Sequence, residues 1–144
     1  MRLEVSTEIA APPEQVWAVL SDVERMPEWT ASMTRVRRLD EGPLAVGSTV
    51  RVEQPRLRPA TWRVTQYDPG RSFTWQSTSG GVTTVASHEL VSHGDAVRVT
   101  LIVQQTGLLA ALVGLLAGSL TRRYIVMEAE GLKRRCEQGR DQSA

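Results

Sequence analysis

Hydrophobic and polar positions alternate along most of this chain. In Arg2–Ala10, Leu3, Val5, Thr7 and Ile9 point one way and Glu4, Ser6 and Glu8 the other, the pattern of a half-buried strand. The clearest case is Ala96–Gln105, with Val97, Val99, Leu101 and Val103 on one face and Arg98, Thr100 and Gln104 on the other. Further strands are predicted over Met33–Leu39, Ser48–Gln54, Thr61–Tyr67, Ser72–Thr78 and Val82–Val91. Turn signals at Asp40-Glu41-Gly42-Pro43, Asp68-Pro69-Gly70, Gly80-Gly81 and His93-Gly94-Asp95 separate them. Short connections of this kind join antiparallel neighbours, and one apolar face with one wet face is the antiparallel pattern.

Two stretches leave the alternation. Ala11-Pro12-Pro13-Glu14 opens a helix, with Pro13 in its first turn, Glu14 favoured by the dipole, and Val16, Val19 and Leu20 as its inner stripe. Ser21-Asp22 closes it, and a brief irregular helix follows as far as Trp29, because Pro27 disfavours helix at Met26. The second stretch runs from Thr106, a cap for the first amides, to Gly139, placed to end a long helix. Leu109, Leu112, Val113, Leu116, Leu120, Tyr124, Met127 and Gly131 recur at steps of three or four and are expected to share its inner face. The predicted architecture is α+β: a strongly curved antiparallel sheet of seven strands wrapped around a long C-terminal helix, with two short helices after the first strand.

With 144 residues, one domain spanning 1–144 is expected, large enough to need no disulfide or metal staple. Formal net charge is +1 with both signs dispersed, so no nucleic-acid surface is indicated. The N-terminus enters an alternating strand with no apolar leader, and the apolar run Leu108–Leu120 falls short of the roughly 20 residues of a spanning helix. The expectation is a cytoplasmic protein without an integral membrane segment, either monomer or homodimer, whose Leu108–Leu120 run is folded against the protein with at most one side wet. Gly114 and Gly118 are read as places where the helix approaches the sheet closely or leaves room beneath it.

The order of these elements, with Ala11-Pro12-Pro13-Glu14-Gln15-Val16-Trp17, Leu20-Ser21-Asp22, Trp29, Val46-Gly47-Ser48, Tyr67-Asp68-Pro69-Gly70-Arg71, Gly94-Asp95-Ala96-Val97-Arg98-Val99 and the helix Arg122-Arg123-Tyr124 to Leu132-Lys133-Arg134, resembles the START-like, or helix-grip, superfamily of SRPBCC proteins. The polyketide cyclase/dehydrase-like branch is the nearest match. The resemblance covers nearly the whole chain and implies a cavity between sheet and long helix. Members include lipid carriers, plant hormone and allergen-type binders and aromatase/cyclases, so the fold does not settle the activity.

Standard catalytic sets are missing from the sequence. Two histidines and one cysteine make no standard zinc site, and there is no phosphate loop or nucleophile elbow; no cofactor is expected. Cys136 is read as a bystander. His88 is the leading candidate for chemistry, as a ligand-orienting group or a general acid/base, because Thr84, Ala86, His88 and Leu90 share one side of their strand. The plain alternative is a hydrogen-bonded core histidine. Burial should keep the ring neutral unless a carboxylate lies near.

Trp62, Phe73 and Trp75 on central strands, with Trp29, are candidate cavity walls, although each alone reads as ordinary core. Four Trp beside one Phe and two Tyr suit a flat or polycyclic ligand. Leu116, Leu120, Tyr124 and Met127 on the long helix and Gln105 at its strand end complete the expected lining. Trp17 is assigned to packing between helix and sheet. Arg56 and Arg58 read either as an entrance rim for an anionic head group or as solvated loop residues.

Three functions follow from this reading. The first is binding of a small hydrophobic molecule, aromatic, polycyclic or lipid-like, in a pocket of about 300–1,000 Å³. The second is a cyclase- or dehydratase-like enzyme using His88. The third is an interaction or membrane-surface protein using the 108–120 apolar face.

Overall fold

The computed structural model describes residues 1–142, with side chains in the last helix described through Gln138. Seven strands form one antiparallel sheet: β1 (Arg2–Ile9), β2 (Arg35–Arg38), β3 (Thr49–Glu53), β4 (Ala60–Asp68), β5 (Ser72–Ser79), β6 (Val82–His93) and β7 (Ala96–Thr106). Their order across the sheet is β1-β7-β6-β5-β4-β3-β2. Every neighbour beyond β7 is therefore joined to the next by a hairpin, as the short turn signals require. Only β1 is not paired with its successor: it pairs with β7, and the chain leaves it through α1 (Pro13–Ser21) and a 3-10 helix (Val23–Glu28), which carries Pro27 inside it, to reach β2 at the opposite edge. The helix-grip arrangement read from the sequence is the arrangement observed.

The alternating residues decide which side is concave. Val97, Val99, Leu101 and Val103 of β7 are all buried, and so are Ala86, His88 and Leu90 of β6. A register irregularity between Val64 and Gln66 interrupts the β4–β5 ladder. Irregularities of this kind bend a strand and sharpen its twist, which helps the sheet to curl.

The long helix, α2 (Ala110–Gln142), lies across that concave face. Its boundaries differ from the sequence expectation at both ends. Thr106 is not its cap but the last residue of β7; the chain turns at Gly107, with φ of +113°, and helix begins at Ala110. A Cβ at Gly107 would strike the Gly81 carbonyl oxygen, so the turn depends on glycine. Gly139 does not end the helix, whose backbone continues to Gln142.

The inner face of α2 also differs. Ile125, Glu128, Ala129, Leu132 and Cys136 are buried, together with Tyr124 and Ala110. Leu116, assigned inward by periodicity, is 76% exposed, and Leu109 and Leu112 are about half exposed at 47% and 52%. Leu120 and Met127 are half-buried. Small residues, not leucines, take the inward positions at this end: Gly114 and Gly118 lie over Met1, where an added Cβ would meet its side chain at 3.4 and 3.3 Å. Close approach wins over apolar bulk, and the helix is rotated accordingly. Leu108–Leu120 is thus folded against the protein with one side wet, as expected, but the wet side is the one that carries most of the leucines, Leu108 and Leu115 included.

The two halves of α2 are anchored differently. Toward its C-terminus, a Cβ at Gly131 would run into the Trp29 carbonyl oxygen, so helix and loop touch backbone to backbone. Lys133 donates to the Glu8 carbonyl (2.6 Å) and to Glu137 (2.8 Å), and Arg135 pairs with Glu28 (2.8 Å). By length and composition alone, Ala110–Gln138 could cross a membrane, with mean hydropathy of 1.3 over its most apolar segment. Its C-terminal half is instead committed to the core through Ile125, Ala129, Leu132 and Cys136.

Candidate functional site

The sheet curls away from the N-terminal half of α2 and leaves a cavity of about 490 Å³ between them. Strand alternation supplies one wall: Val52 of β3, Trp62 of β4, Trp75 of β5, Thr84, Ala86 and His88 of β6, Val103 and Gln105 of β7. The helix supplies the other through Val113, Thr121, Tyr124, Ile125 and Glu128. Leu57, Arg58, Ser79 and Gly80 also line it and are exposed, so the mouth lies between the 55–59 loop and the β5–β6 hairpin. Tyr124 donates its hydroxyl to the Pro55 carbonyl, which ties that loop to the helix.

Of the residues singled out in the sequence, Trp62, Trp75, Thr84, His88, Gln105 and Tyr124 are brought together on this wall. Trp29, Phe73, Leu116, Leu120 and Met127 are not on it. Trp29 packs beneath Gly131, Phe73 is wholly buried behind the histidine, and Leu116 faces solvent because of the helix rotation described above. Trp17 lies edge-on to Tyr67 and Phe73, with ring centroids 5.7 and 6.2 Å apart, between α1 and the sheet.

His88 is held by two aromatic neighbours and has a polar atom close to each nitrogen. Its ring stacks on Phe73, with centroids 4.2 Å apart and planes 14° from parallel, and meets Trp75 edge-on at 5.6 Å. Nδ1 lies 3.2 Å from the Phe73 carbonyl oxygen. A carbonyl can only accept, so Nδ1 carries the hydrogen. Nε2 lies 3.3 Å from Glu128 Oε1, and both side chains are nearly sealed from solvent, at 4% and 10% exposure. The approach is a charge contact, not an aligned hydrogen bond, and Oε1 has no hydrogen-bond partner among the described residues.

With hydrogen on Nδ1, a neutral ring presents only a lone pair at Nε2, and a carboxylate presents only lone pairs in return. A proton on either atom would let the other accept it, so the two groups face each other as a potential donor–acceptor pair at the edge of the cavity.

A second polar spot lies toward the mouth. Gln105 Nε2 donates to Thr84 Oγ1 at 3.4 Å, and Gln105 Oε1 is buried without a partner among the described residues. Between the two spots, the register pairs Ala86 with Val103, an apolar step in both strands. Elsewhere, burial pushes the Cys136 thiol up to about 11, with the Glu137 charge adding to it, so the thiol is protonated and shielded as a bystander should be. Among the described residues no cluster of His, Cys, Asp or Glu has the makings of a metal site.

Glu128 is the residue the sequence reading missed. The signal was present: an acid one turn after Tyr124, in a stripe of Thr121, Tyr124, Ile125, Ala129 and Leu132 that is otherwise free of charge. A stripe drawn through Met127 and Gly131 stepped past it.

A family model described as polyketide cyclase / dehydrase and lipid transport matches residues 1–137. No curated protein matches the sequence. Among solved structures, the Zhui aromatase/cyclase from Streptomyces sp. R1128 superposes with a TM-score of 0.77 at 18% identity, covering 96% of this chain and 94% of that one. A START superfamily protein from Mycobacterium smegmatis gives 0.71 at 19% identity, covering 95% and 97%. The ginseng major latex-like protein 151 from Panax ginseng gives 0.73 at 14% identity, covering 94% and 97%. These likenesses show the fold. Together with the family match over nearly the whole chain, they establish that this protein belongs to the polyketide cyclase / dehydrase and lipid transport family, within the START-like helix-grip superfamily.

Proposed function

We propose that the protein binds an elongated, largely apolar small molecule that places a hydrogen-bonding group against His88 and Glu128. The observation that carries this reading is the cavity itself: about 490 Å³, walled by Trp62, Trp75, Ala86, Val103 and Ile125, with polar spots at His88–Glu128 and Thr84–Gln105 and further polar residues (Gln54, Arg58, Ser77, Ser79, Thr121, Tyr124) in its lining. A volume of that order suits a ligand pocket of about 300–1,000 Å³. Thr84 and His88 are four residues apart on one strand, so the two polar spots are separated by about 13 Å at 3.3 Å per residue. That span matches a molecule of a few fused rings, or a medium-length chain, with a polar group at each end. Trp62 and Trp75, with centroids 5.7 Å apart and planes at 39°, offer broad apolar surface for it.

The His88–Glu128 contact favours a second reading, acid–base catalysis of a dehydration. A ring with a free Nε2 beside a protonated Glu128 can take a proton from carbon next to a carbonyl. The carboxylic acid then gives its own proton to a departing hydroxyl, and water leaves. The pair ends as imidazolium and carboxylate with its proton total unchanged. The family description and the aromatase/cyclase neighbour are compatible with both readings.

The test begins with native mass spectrometry and solvent extraction of the purified protein, to identify what it carries. Ala86→Phe fills the middle of the cavity and should abolish retention of any apolar ligand while leaving the fold intact. His88→Ala should weaken a polar ligand about two- to tenfold and hardly affect a purely apolar one, from a hydrogen bond worth on the order of 0.5–1.5 kcal/mol. If the protein is an enzyme, the same change should lower turnover by roughly 10²–10⁴. Unaltered retention in Ala86→Phe would rule out this cavity as the binding site.

A further inference from the structure

The N-terminal half of α2 leaves five leucines uncovered: Leu108, Leu109, Leu112, Leu115 and Leu116 are 97%, 47%, 52%, 83% and 76% exposed. Isolated exposed leucines need no explanation, but contiguous ones on a helix and its lead-in do. Steps of three and four link Leu108, Leu112, Leu115 and Leu116 into one stripe. Arg122 and Arg123 fall seven residues beyond Leu115 and Leu116, on the same stripe, and are exposed.

The surroundings share this character. Leu109 packs over the β5–β6 hairpin, where a Cβ at Gly81 would meet its side chain at 3.6 Å. The 55–59 loop, tied to Tyr124, brings Arg56, Leu57 and Arg58 to the same end. The three segments gathered here, 54–60, 77–84 and 106–127, contain four arginines and not one Asp or Glu, although the chain as a whole has a net charge of only +1. This apolar end is therefore also a local concentration of uncompensated positive charge.

We infer that this end of the molecule docks on an anionic lipid surface. The exposed leucines enter the acyl boundary, and Arg56, Arg58, Arg122 and Arg123 meet the headgroups. An apolar helical stripe flanked by cations is the makeup of an interfacial helix. Spanning is not implied, because the C-terminal half of the same helix is locked into the core. A second copy of the chain is the less suitable occupant. Two-fold pairing through this face would crowd the arginines of both copies together with no acid to receive them. The inference does not depend on what the cavity holds.

Flotation of the full chain with phosphatidylcholine vesicles, with and without phosphatidylglycerol, tests it. The protein should float with the anionic vesicles and much less with the neutral ones. Leu115→Glu with Leu116→Glu should reduce partition about a hundredfold, taking about tenfold for each leucine withdrawn from the acyl boundary. Both positions are exposed, so circular dichroism and the urea midpoint should be unchanged. Arg122→Gln with Arg123→Gln should reduce partition into anionic vesicles about fivefold per arginine and leave the neutral ones little altered. Failure to float with either vesicle would overturn the inference, and so would flotation indifferent to the leucine pair. A solution dimer that Leu115→Glu with Leu116→Glu dissolves, without vesicle binding by the parent, would assign the face to a second copy instead.

Discussion

Removing the Glu128 carboxylate separates what the buried pair does for stability from what it does for a ligand. In Glu128→Ala, Nε2 of His88 loses the partner 3.3 Å away while Nδ1 stays tied to the Phe73 carbonyl. A buried polar atom left unpaired costs about 1–3 kcal/mol, and water entering from the adjoining cavity favours the lower part of that range. For a domain of this size about 1 kcal/mol corresponds to a fall of about 2–4 °C in Tm. Glu128→Gln should behave differently: its amide can donate to Nε2 as a carboxylic acid would, so most of the stability is kept while the ionisable group is lost. Replacing both partners, as His88→Leu with Glu128→Met, removes the desolvated polar atoms altogether. Such replacements are often neutral or stabilising by about 1–4 kcal/mol. The expected order of urea midpoints, at constant m, is therefore double variant at or above wild type, Glu128→Gln just below, and Glu128→Ala lowest. A double-mutant cycle gives the coupling directly. If Glu128→Gln fell as far as Glu128→Ala, a donor–acceptor pair at these atoms would be the wrong description. If the apolar pair were less stable than Glu128→Ala, the pair would be structural, and its place beside the cavity would carry no functional weight.

Gly131→Ala gives a test of opposite sign to the usual helix rule. Alanine normally favours a helix interior by about 1 kcal/mol over glycine, but here its Cβ meets the Trp29 carbonyl, and overpacking of this kind costs about 1–3 kcal/mol; a raised urea midpoint would contradict the observed contact. Cys136 should resist a thiol-specific reagent until the protein is unfolded in urea, since its thiol is buried and pushed up to about 11. A raised acid keeps its proton in the folded state, so this group's contribution is fully present below the ordinary thiol value of 9.0 and lost as pH rises through about 11; Cys136→Ala should flatten that alkaline limb in pH-dependent melts. Asp40 is held below its ordinary value of 3.8, first by the Thr49 amide and also by Arg38 and the Thr49 hydroxyl. Its contribution is present above 3.8 and lost as pH falls through the lower folded value, so Asp40→Asn should weaken the acid limb of the stability curve; an unchanged limb would count against the Thr49 contact.

The sheet was legible in the sequence because its signal is local. Period-two alternation and turn residues at Asp68-Pro69-Gly70, Gly80-Gly81 and His93-Gly94-Asp95 fix strand existence, order and facing, and so placed Thr84, Ala86 and His88 on the inner side. The rotation of α2 was not legible in the same way. Leucines carry much of the apolar bulk in its first half, and apolar periodicity alone turns them inward. What turns them outward is the close approach of Gly114 and Gly118 to Met1, a contact more than a hundred residues distant in sequence. Glu128 was lost with that rotation, since its partner His88 comes from β6, forty residues away in sequence. The helix start failed for a related reason: Thr106 is a good cap by type, but β7 uses it for its last ladder position opposite Thr83.

Unequal anchoring of α2 divides the labour of one continuous helix. Beyond Glu128, nearly every inward position is fixed by contact with Trp29, the 3-10 helix or β1, and substitutions there disturb folding. Before Tyr124, apart from Gly114 and Gly118 packed over Met1, the inward side faces the cavity and the outward side faces solvent, so most other changes of side chain at 111–123 disturb little that holds the protein together. Surface changes of this kind usually alter stability by no more than about 0.5 kcal/mol. A lineage built on this plan can therefore reshape what its chamber accepts, and what its outer stripe meets, while the scaffold that carries both stays out of reach of the change.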